Sequence, residues 1–266
     1  MTNAEVSFLE SYPRVRSELP ERLREVYERT YLASRNGTGF LYGLTQRLES
    51  WMHGKAAAVS RPGQCVLEIG AGTLNHLPWE RKWRAYDVVE PFSALYRNQS
   101  RAKLVRTFFA DISDVPPDRN YDRIVSIATL EHVLDLPALV AKAALLLNPG
   151  GTFSAGIPSE GGFLWAFAWK ISVGLSFKMR TGLNYGDLMR HEHVSTAREI
   201  ESILRYFFRK VDIRRFPGPW RHCSLYEHLC CGDPNLQRCK RYLHSDALRQ
   251  QTVAGGCLNH PEPACT

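Results

Sequence analysis

From Ala4 to Ala58 apolar side chains recur every three or four positions, first Leu19, Leu23, Val26, Tyr27 and Tyr31, then Leu41, Leu44, Leu48 and Trp51. That spacing is the period of a helix with one buried face, and Asn36-Gly37 divides it into two helical stretches. After Arg61-Pro62-Gly63 the texture changes to short apolar runs at 64–69, 84–89, 104–109, 121–127 and 152–157, with helix-compatible segments between them, notably 136–147. Strands that alternate with helices predict a parallel sheet covered on both faces. Asn148-Pro149-Gly150-Gly151 stops the helix before the fifth run. A helix over 196–207 is followed by strand-like runs at 209–215 and 222–231 joined through Phe216-Pro217-Gly218-Pro219, which predicts an antiparallel edge. Beyond Asp233 the periodicity fades.

The pattern divides the chain into an N-terminal helical cap (1–58), an α/β domain (59–234) with an insertion at 158–190, and a tail (235–266) expected to be poorly ordered. The expected fold class is α/β: a mostly parallel sheet with helices on both faces.

Composition narrows this picture in three ways. With 44% hydrophobic and 23% charged residues, the 266-residue chain can bury a real core and does not resemble a disordered one. The net charge of +7 is modest for this length and makes nucleic acid an unlikely partner. The most apolar stretch, 163–177, carries Lys170 at its middle and falls short of the roughly 20 residues that span a bilayer, although contact with a membrane surface is a minority alternative. The seven cysteines are odd in number, so a fully paired disulfide framework is excluded. The first residues lack the apolar run of a secretory signal, and the chain reads as cytoplasmic with reduced thiols.

Candidate chemistry begins at Glu68-Ile69-Gly70-Ala71-Gly72-Thr73, where the first strand ends and the chain must turn. Glycines there let the backbone bend sharply and approach a ligand closely. A dinucleotide fingerprint needs a third glycine at 75, where Asn75 stands, so a pyrophosphate cofactor is disfavoured. Glu90 closes the second run, and its carboxylate has acceptors for both hydroxyls of a ribose. Asp111-Ile112 closes the third, where a carboxylate suits an adenine amino group. Three acids at neighbouring strand ends, Glu68, Glu90 and Asp111, point to one adenosine pocket.

These motifs resemble the class I S-adenosylmethionine-dependent methyltransferases. Glu68-x-Gly70-x-Gly72 is similar to their first motif, with Leu74 where a further glycine often stands. Val89-Glu90 resembles the ribose acid, Asp111-Ile112 the adenine contact, and Tyr121–Val125 with Leu130-Glu131-His132-Val133 the fourth-strand motif. The resemblance covers residues 59–232. It implies a Rossmann-like, seven-stranded sheet whose seventh strand runs antiparallel, and S-adenosylmethionine as cofactor, with Glu68, Gly70, Ala71, Gly72, Glu90, Asp111, Ile112 and Thr129 as the residues that hold it.

Methyl transfer to a hydroxyl needs a proton acceptor, and the candidates are His132 after the fourth strand and His191 and His193 after the insertion. His191-x-His193 also has the look of a metal pair, but sequence locates no further ligand, so no metal is assigned. The insertion 158–190 holds Trp165, Phe167, Trp169, Phe177 and Tyr185 and is expected to pack on the N-terminal helices as a cover over the acceptor, with Arg180 and Arg190 able to hold an acidic one. A small-molecule or saccharide acceptor methylated at oxygen is the leading expectation. The alternatives are an RNA methyltransferase, for which Arg205, Arg209, Lys210, Arg214, Arg215 and Arg221 would supply the phosphate contacts, and a non-catalytic cofactor-binding scaffold.

Overall fold

The computed structural model describes residues 8–24, 42–169 and 175–256. The break expected at Asn36-Gly37, and most of the first helical stretch, lie outside those residues. Helix α1 (Tyr42–Ala58) leads into β1 (Cys65–Ile69) and β2 (Ala85–Val89), then the one-turn α2 (Ser93–Tyr96), β3 (Thr107–Phe109), β4 (Tyr121–Ile127), α3 (Leu136–Leu145) and β5 (Leu147–Pro158). The insertion holds α4 (Phe163–Trp169), α5 (Leu175–Thr181) and α6 (Tyr185–Glu192). The chain continues through α7 (Ala197–Phe207), β6 (Phe208–Pro217), β7 (Ser224–Pro234) and α8 (Leu236–Gly256).

The seven strands form one sheet in the order β3-β2-β1-β4-β5-β7-β6. β1 to β5 run parallel, and β7 lies antiparallel to both β5 and β6. This is the expected Rossmann-like architecture. All five residues of β1 are buried, which follows from a strand covered on both faces. The helix α3 can lie close to the sheet because Ala141, Ala143 and Ala144 present only methyl groups beside Val140, and its first turn is capped by the Asp135 carboxylate, which accepts from the Ala138 N–H. In α7 the apolar positions Ile200, Ile203, Leu204 and Phe207 fall on one buried face, while Thr196 and Glu199 exchange hydrogen bonds as a capping box.

Three local expectations are corrected. The third run is a strand only over Thr107–Phe109, because residues 100–104 close into a 3-10 turn instead. The helix before the fifth run ends at Leu145, ahead of Asn148-Pro149-Gly150-Gly151, which lies inside β5 and so does not stop it; β5 pairs with β4 through an irregularity that shifts the register between Tyr121 and Arg123. Residues 236–256, expected to belong to a poorly ordered tail, form α8. Its Cys239 and Tyr242 side chains are buried in the main core, and the Tyr242 ring meets that of Phe207 edge-on at 5.6 Å. The helix needs only those few apolar contacts to dock, so its long polar face hid the periodicity.

One buried ionic chain ties α1 to the sheet. Arg123 of β4, wholly buried, donates from Nε to Glu80 at 2.8 Å and from its terminal nitrogen to the Ala56 carbonyl at the end of α1. His76 and Glu80 are paired at 2.8 Å, and His76 in turn meets His53 of α1 at 3.0 Å. Burial raises the Glu80 carboxyl, but the His76 hydrogen bond and the Arg123 charge more than offset it and hold it down to about 2.

Candidate active site

The first strand delivers the chain into a left-handed turn that favours glycine. Gly70 has φ +72 and Gly72 φ +51, both left-handed. A Cβ at Gly70 would stand 2.2 Å from the Thr129 Cγ2, because Thr129 packs directly over the turn and donates its hydroxyl to the carbonyls of Ile127 and Gly70. Leu74, where a glycine often stands, is itself held at φ +61 and fully buried. The loop therefore keeps the left-handed backbone at that position and anchors it with a core side chain, at a cost of about 1–2 kcal/mol.

Glu90 closes the turn from the neighbouring strand. Its two carboxylate oxygens accept the Gly72 and Phe92 N–H groups at 2.8 and 3.0 Å, and the side chain is buried. Asp111 sits at the tip of β3, next in the sheet, where it is exposed and caps the turn 112–114 by accepting from the Ser113 N–H. Burial raises the Asp111 carboxyl, but the hydrogen bonds from Ser113 and the charge of Lys142 together outweigh it and leave it below its ordinary range. Ile112 behind it is buried, as is Ala71. The strand tips are joined, since the Glu90 N–H donates to the Phe109 carbonyl at 2.9 Å. Glu68 differs from the other two acids. It is turned into the core and accepts the Tyr86 hydroxyl at 2.7 Å, and burial pushes its pKa up. The three acids grouped by sequence are thus two at the loop mouth and one beneath it.

A second cluster grows from the loop after β4. Two residues beyond Thr129, Glu131 is almost fully buried, and its backbone carbonyl accepts the N–H groups of Val194 and Ser195, which sews this loop to the junction between α6 and α7. That junction carries His193. The rings of His132 and His193 meet edge-on with centroids 4.7 Å apart. The Nδ1 of His132 lies 2.9 Å from the Glu192 carbonyl, and the Nδ1 of His193 lies 2.7 Å from the Glu160 carboxylate. Burial lowers the His193 pKa, but the Glu160 hydrogen bond and the charges of Glu131 and Glu192 outweigh it, and the net shift is upward. His191 does not join this pair. Its position in the last turn of α6 directs its Nδ1 to the Ser17 carbonyl at 2.6 Å.

The N-terminal segment lies across the same region. Tyr12 shares a hydrogen with Ser195 at 2.8 Å, Arg14 pairs with Glu199 at 2.6 Å, and Arg16 reaches the His132 carbonyl and the Glu192 carboxylate at 3.3 Å. Leu19 and Leu23 pack on Leu188 of α6, with Phe177, Leu183 and Tyr185 around them. The insertion and the N-terminal segment therefore do pack together. Trp165 approaches His193 with ring centroids 6.4 Å apart. Arg190, expected to hold an acceptor, is ion-paired with Asp187, and the Arg180, Phe167 and Trp169 side chains lie outside the described residues.

A family model described as a methyltransferase domain matches residues 43–207, well over half of the chain. The chain belongs to the methyltransferase-domain family. Its cofactor is S-adenosylmethionine. Uncharacterized methyltransferases of Mycobacterium bovis and Mycobacterium tuberculosis are each 24% identical to it over 163 residues, covering 57% of this chain and 81% of theirs. Among solved structures, a methyltransferase of Thermotoga maritima described as a possible histamine N-methyltransferase has a TM-score of 0.53 at 15% identity, covering 78% of this chain and 98% of that one. The N-methyltransferase NodS of Bradyrhizobium japonicum, in complex with S-adenosyl-L-homocysteine, has a TM-score of 0.51 at 13% identity, covering 87% and 99%. At such identities these likenesses establish the fold.

The methyltransferase's donor set suits a nucleoside cofactor. Each Glu90 oxygen holds one backbone donor and keeps lone pairs for more. Sequence reasoning singled out His132 and His193 but missed Glu131, Glu160 and Arg16. Glu131 adjoins His132 in the motif and was legible there. Glu160 and Arg16 reach the cluster only through tertiary packing.

Proposed function

We propose that this methyltransferase transfers the S-adenosylmethionine methyl group to an oxygen of a small-molecule or saccharide acceptor. The observation that carries the reading is the Glu131, His132 and His193 cluster, whose first two members follow Thr129 on a loop bonded through it to the glycine turn and whose third comes from the junction between α6 and α7. Glu90 would take the ribose, Asp111 and Ile112 the adenine, and the turn from Gly70 to Gly72 the methionine part of the cofactor. When bound, the cofactor supplies an activated methyl group. The protein's share is to orient the acceptor, exclude water beneath the insertion 158–190, and receive the hydroxyl proton. His193 is suited to that last task, because the Glu160 carboxylate holds the proton on Nδ1 and leaves Nε2 as the ring's proton acceptor.

The basic residues that would favour RNA argue for a small acceptor instead. Arg205, Arg215 and Arg221 are ion-paired with Glu201 or Glu227, Arg214 with Asp212, and Arg209 with Asp233. Guanidinium groups already committed to carboxylates make poor phosphate contacts. A cytoplasmic setting is supported by the five described cysteines, all of them free thiols. No helix among the described residues is long and apolar enough to cross a membrane.

The test is a methyl-transfer assay with isotopically labelled S-adenosylmethionine against a panel of hydroxylated small molecules and saccharides, with bulk RNA as the competing acceptor. Label on a hydroxylated acceptor, lost in His193→Ala, is the expected result. Label on RNA, with salt-sensitive RNA retention, would overturn it.

A further inference from the structure

We propose that Glu131, His132 and His193 form a binding site for a single divalent first-row metal ion. Each of the three offers one ligand atom, and those atoms lie within 4.8 Å of one another. Ligand bonds of about 2.1 Å accommodate donor pairs up to roughly 4.2 Å apart, so small side-chain rotations close the shell around an ion. Two imidazoles and one carboxylate on one side of an ion leave its remaining positions open to water or substrate, which is the pattern of catalytic rather than structural metal sites.

Three further observations point to a ligand at this place. The Glu131 side chain is 2% exposed, yet its Oε2 has no hydrogen-bond partner among the described residues. An ionised carboxylate oxygen is costly to bury without one. Both imidazoles are oriented as metal ligands are: each Nδ1 is held by an acceptor, the Glu192 carbonyl for His132 and the Glu160 carboxylate for His193. That hydrogen bond fixes the proton on Nδ1 and turns the lone pair of Nε2 outward. The local charge also calls for a cation. Glu131, Glu160 and Glu192 surround the two rings, and Arg16, on Glu192, is the counter-charge described there.

The proposal rests on the oxygen-methylation reading and deepens it. With the ion bound, His193 serves as a ligand instead of the proton acceptor: an acceptor hydroxyl that ligates the ion becomes more acidic, and its proton passes to water. The oxygen lone pair then forms the C–O bond as the C–S bond breaks, and that bond's electrons remain on sulfur. An acceptor with two adjacent oxygens, such as a catechol or a vicinal diol, fits an ion with more than one open position.

The experiment uses the full chain, stripped with a chelator and titrated with Co²⁺ alone, followed by visible absorption and calorimetry. One equivalent is expected to bind, with a d–d spectrum of nitrogen and oxygen ligation that Zn²⁺ displaces. Glu131→Gln and His193→Ala should abolish it, and Glu160→Gln should weaken it about 10–100-fold by releasing the His193 ring. His222→Ala, on an exposed histidine beside Cys223, should leave it unchanged. Absence of uptake by the wild type overturns the proposal, as does uptake that survives Glu131→Gln and His193→Ala or is lost in His222→Ala. If Glu131→Gln does not fold, His193→Ala and Glu160→Gln decide the matter. Acceptor labelling in the presence of a chelator separates the two readings: methyl transfer to a hydroxyl that persists without metal removes the ion's part in the reaction and leaves oxygen methylation intact.

Discussion

Glu90 at the tip of β2 accepts the backbone N–H of Gly72 at 2.8 Å, so the glycine turn and the acid of the next strand form one rigid rim. The carboxylate both shapes the loop and offers its remaining lone pairs to a ligand. Glu90→Ala should therefore weaken S-adenosylmethionine binding more than the loss of one surface contact would. A charge-assisted hydrogen bond contributes about 1.5–3 kcal/mol, which corresponds to roughly 10–100-fold in dissociation constant. Calorimetric titration measures it, and an unchanged affinity would remove Glu90 from the site.

Gly70→Ala should be more damaging than its single methyl suggests. The new Cβ would meet Thr129 at 2.2 Å in a backbone held at φ +72. Thr129→Ala should not rescue it, because the Thr129 Cβ itself stands 2.7 Å from the added atom. We expect a loss of cofactor binding and of about 1–3 kcal/mol in stability, read from denaturant unfolding of the single and double variants.

The buried pair of Arg123 and Glu80 makes opposite predictions for single and double replacement. Arg123→Met strands the Glu80 carboxylate in the core and should destabilise by about 3–5 kcal/mol. Arg123→Met with Glu80→Leu should recover a large part of that loss, since no unpaired charge remains. A double-mutant cycle of unfolding free energies checks the sign of the coupling.

Acidification should weaken the fold before the carboxylates titrate. Burial, then the charge of Arg123, lowers His228 from 6.5 to about 4, and burial with the His76 charge does the same for His53. Both groups are depressed in the folded state, so their contribution to stability is complete above their unfolded value and is lost as pH falls toward about 4. Each contributes about 3 kcal/mol at most. The midpoint of urea unfolding should fall between about pH 7 and about pH 5, and His228→Gln should flatten that slope. An equal slope in the variant would show that His228 is protonated equally readily in both states.

Much of this arrangement is legible along the chain. The runs at 64–69 and 121–127 became β1 and β4 almost residue for residue, because central parallel strands need continuous apolar stretches and glycine-rich exits. The short edge strand β3 and the helix α8 were not legible in the same way. The first pairs only with β2, and the second buries so few side chains that its periodicity is weak.

By itself the sequence determined the alternation of elements, the glycine turn, and the acids at the strand tips, since each depends on neighbours close in the chain or on the two-residue and 3.6-residue periods of the backbone. Only the tertiary structure decided that Glu68 faces the core while Glu90 faces the turn, that His193 rather than His191 stands beside His132, and that Glu160 and Arg16 complete that cluster. Which way a side chain turns at the end of a strand or helix depends on what packs against it from distant segments. No local pattern encodes that choice.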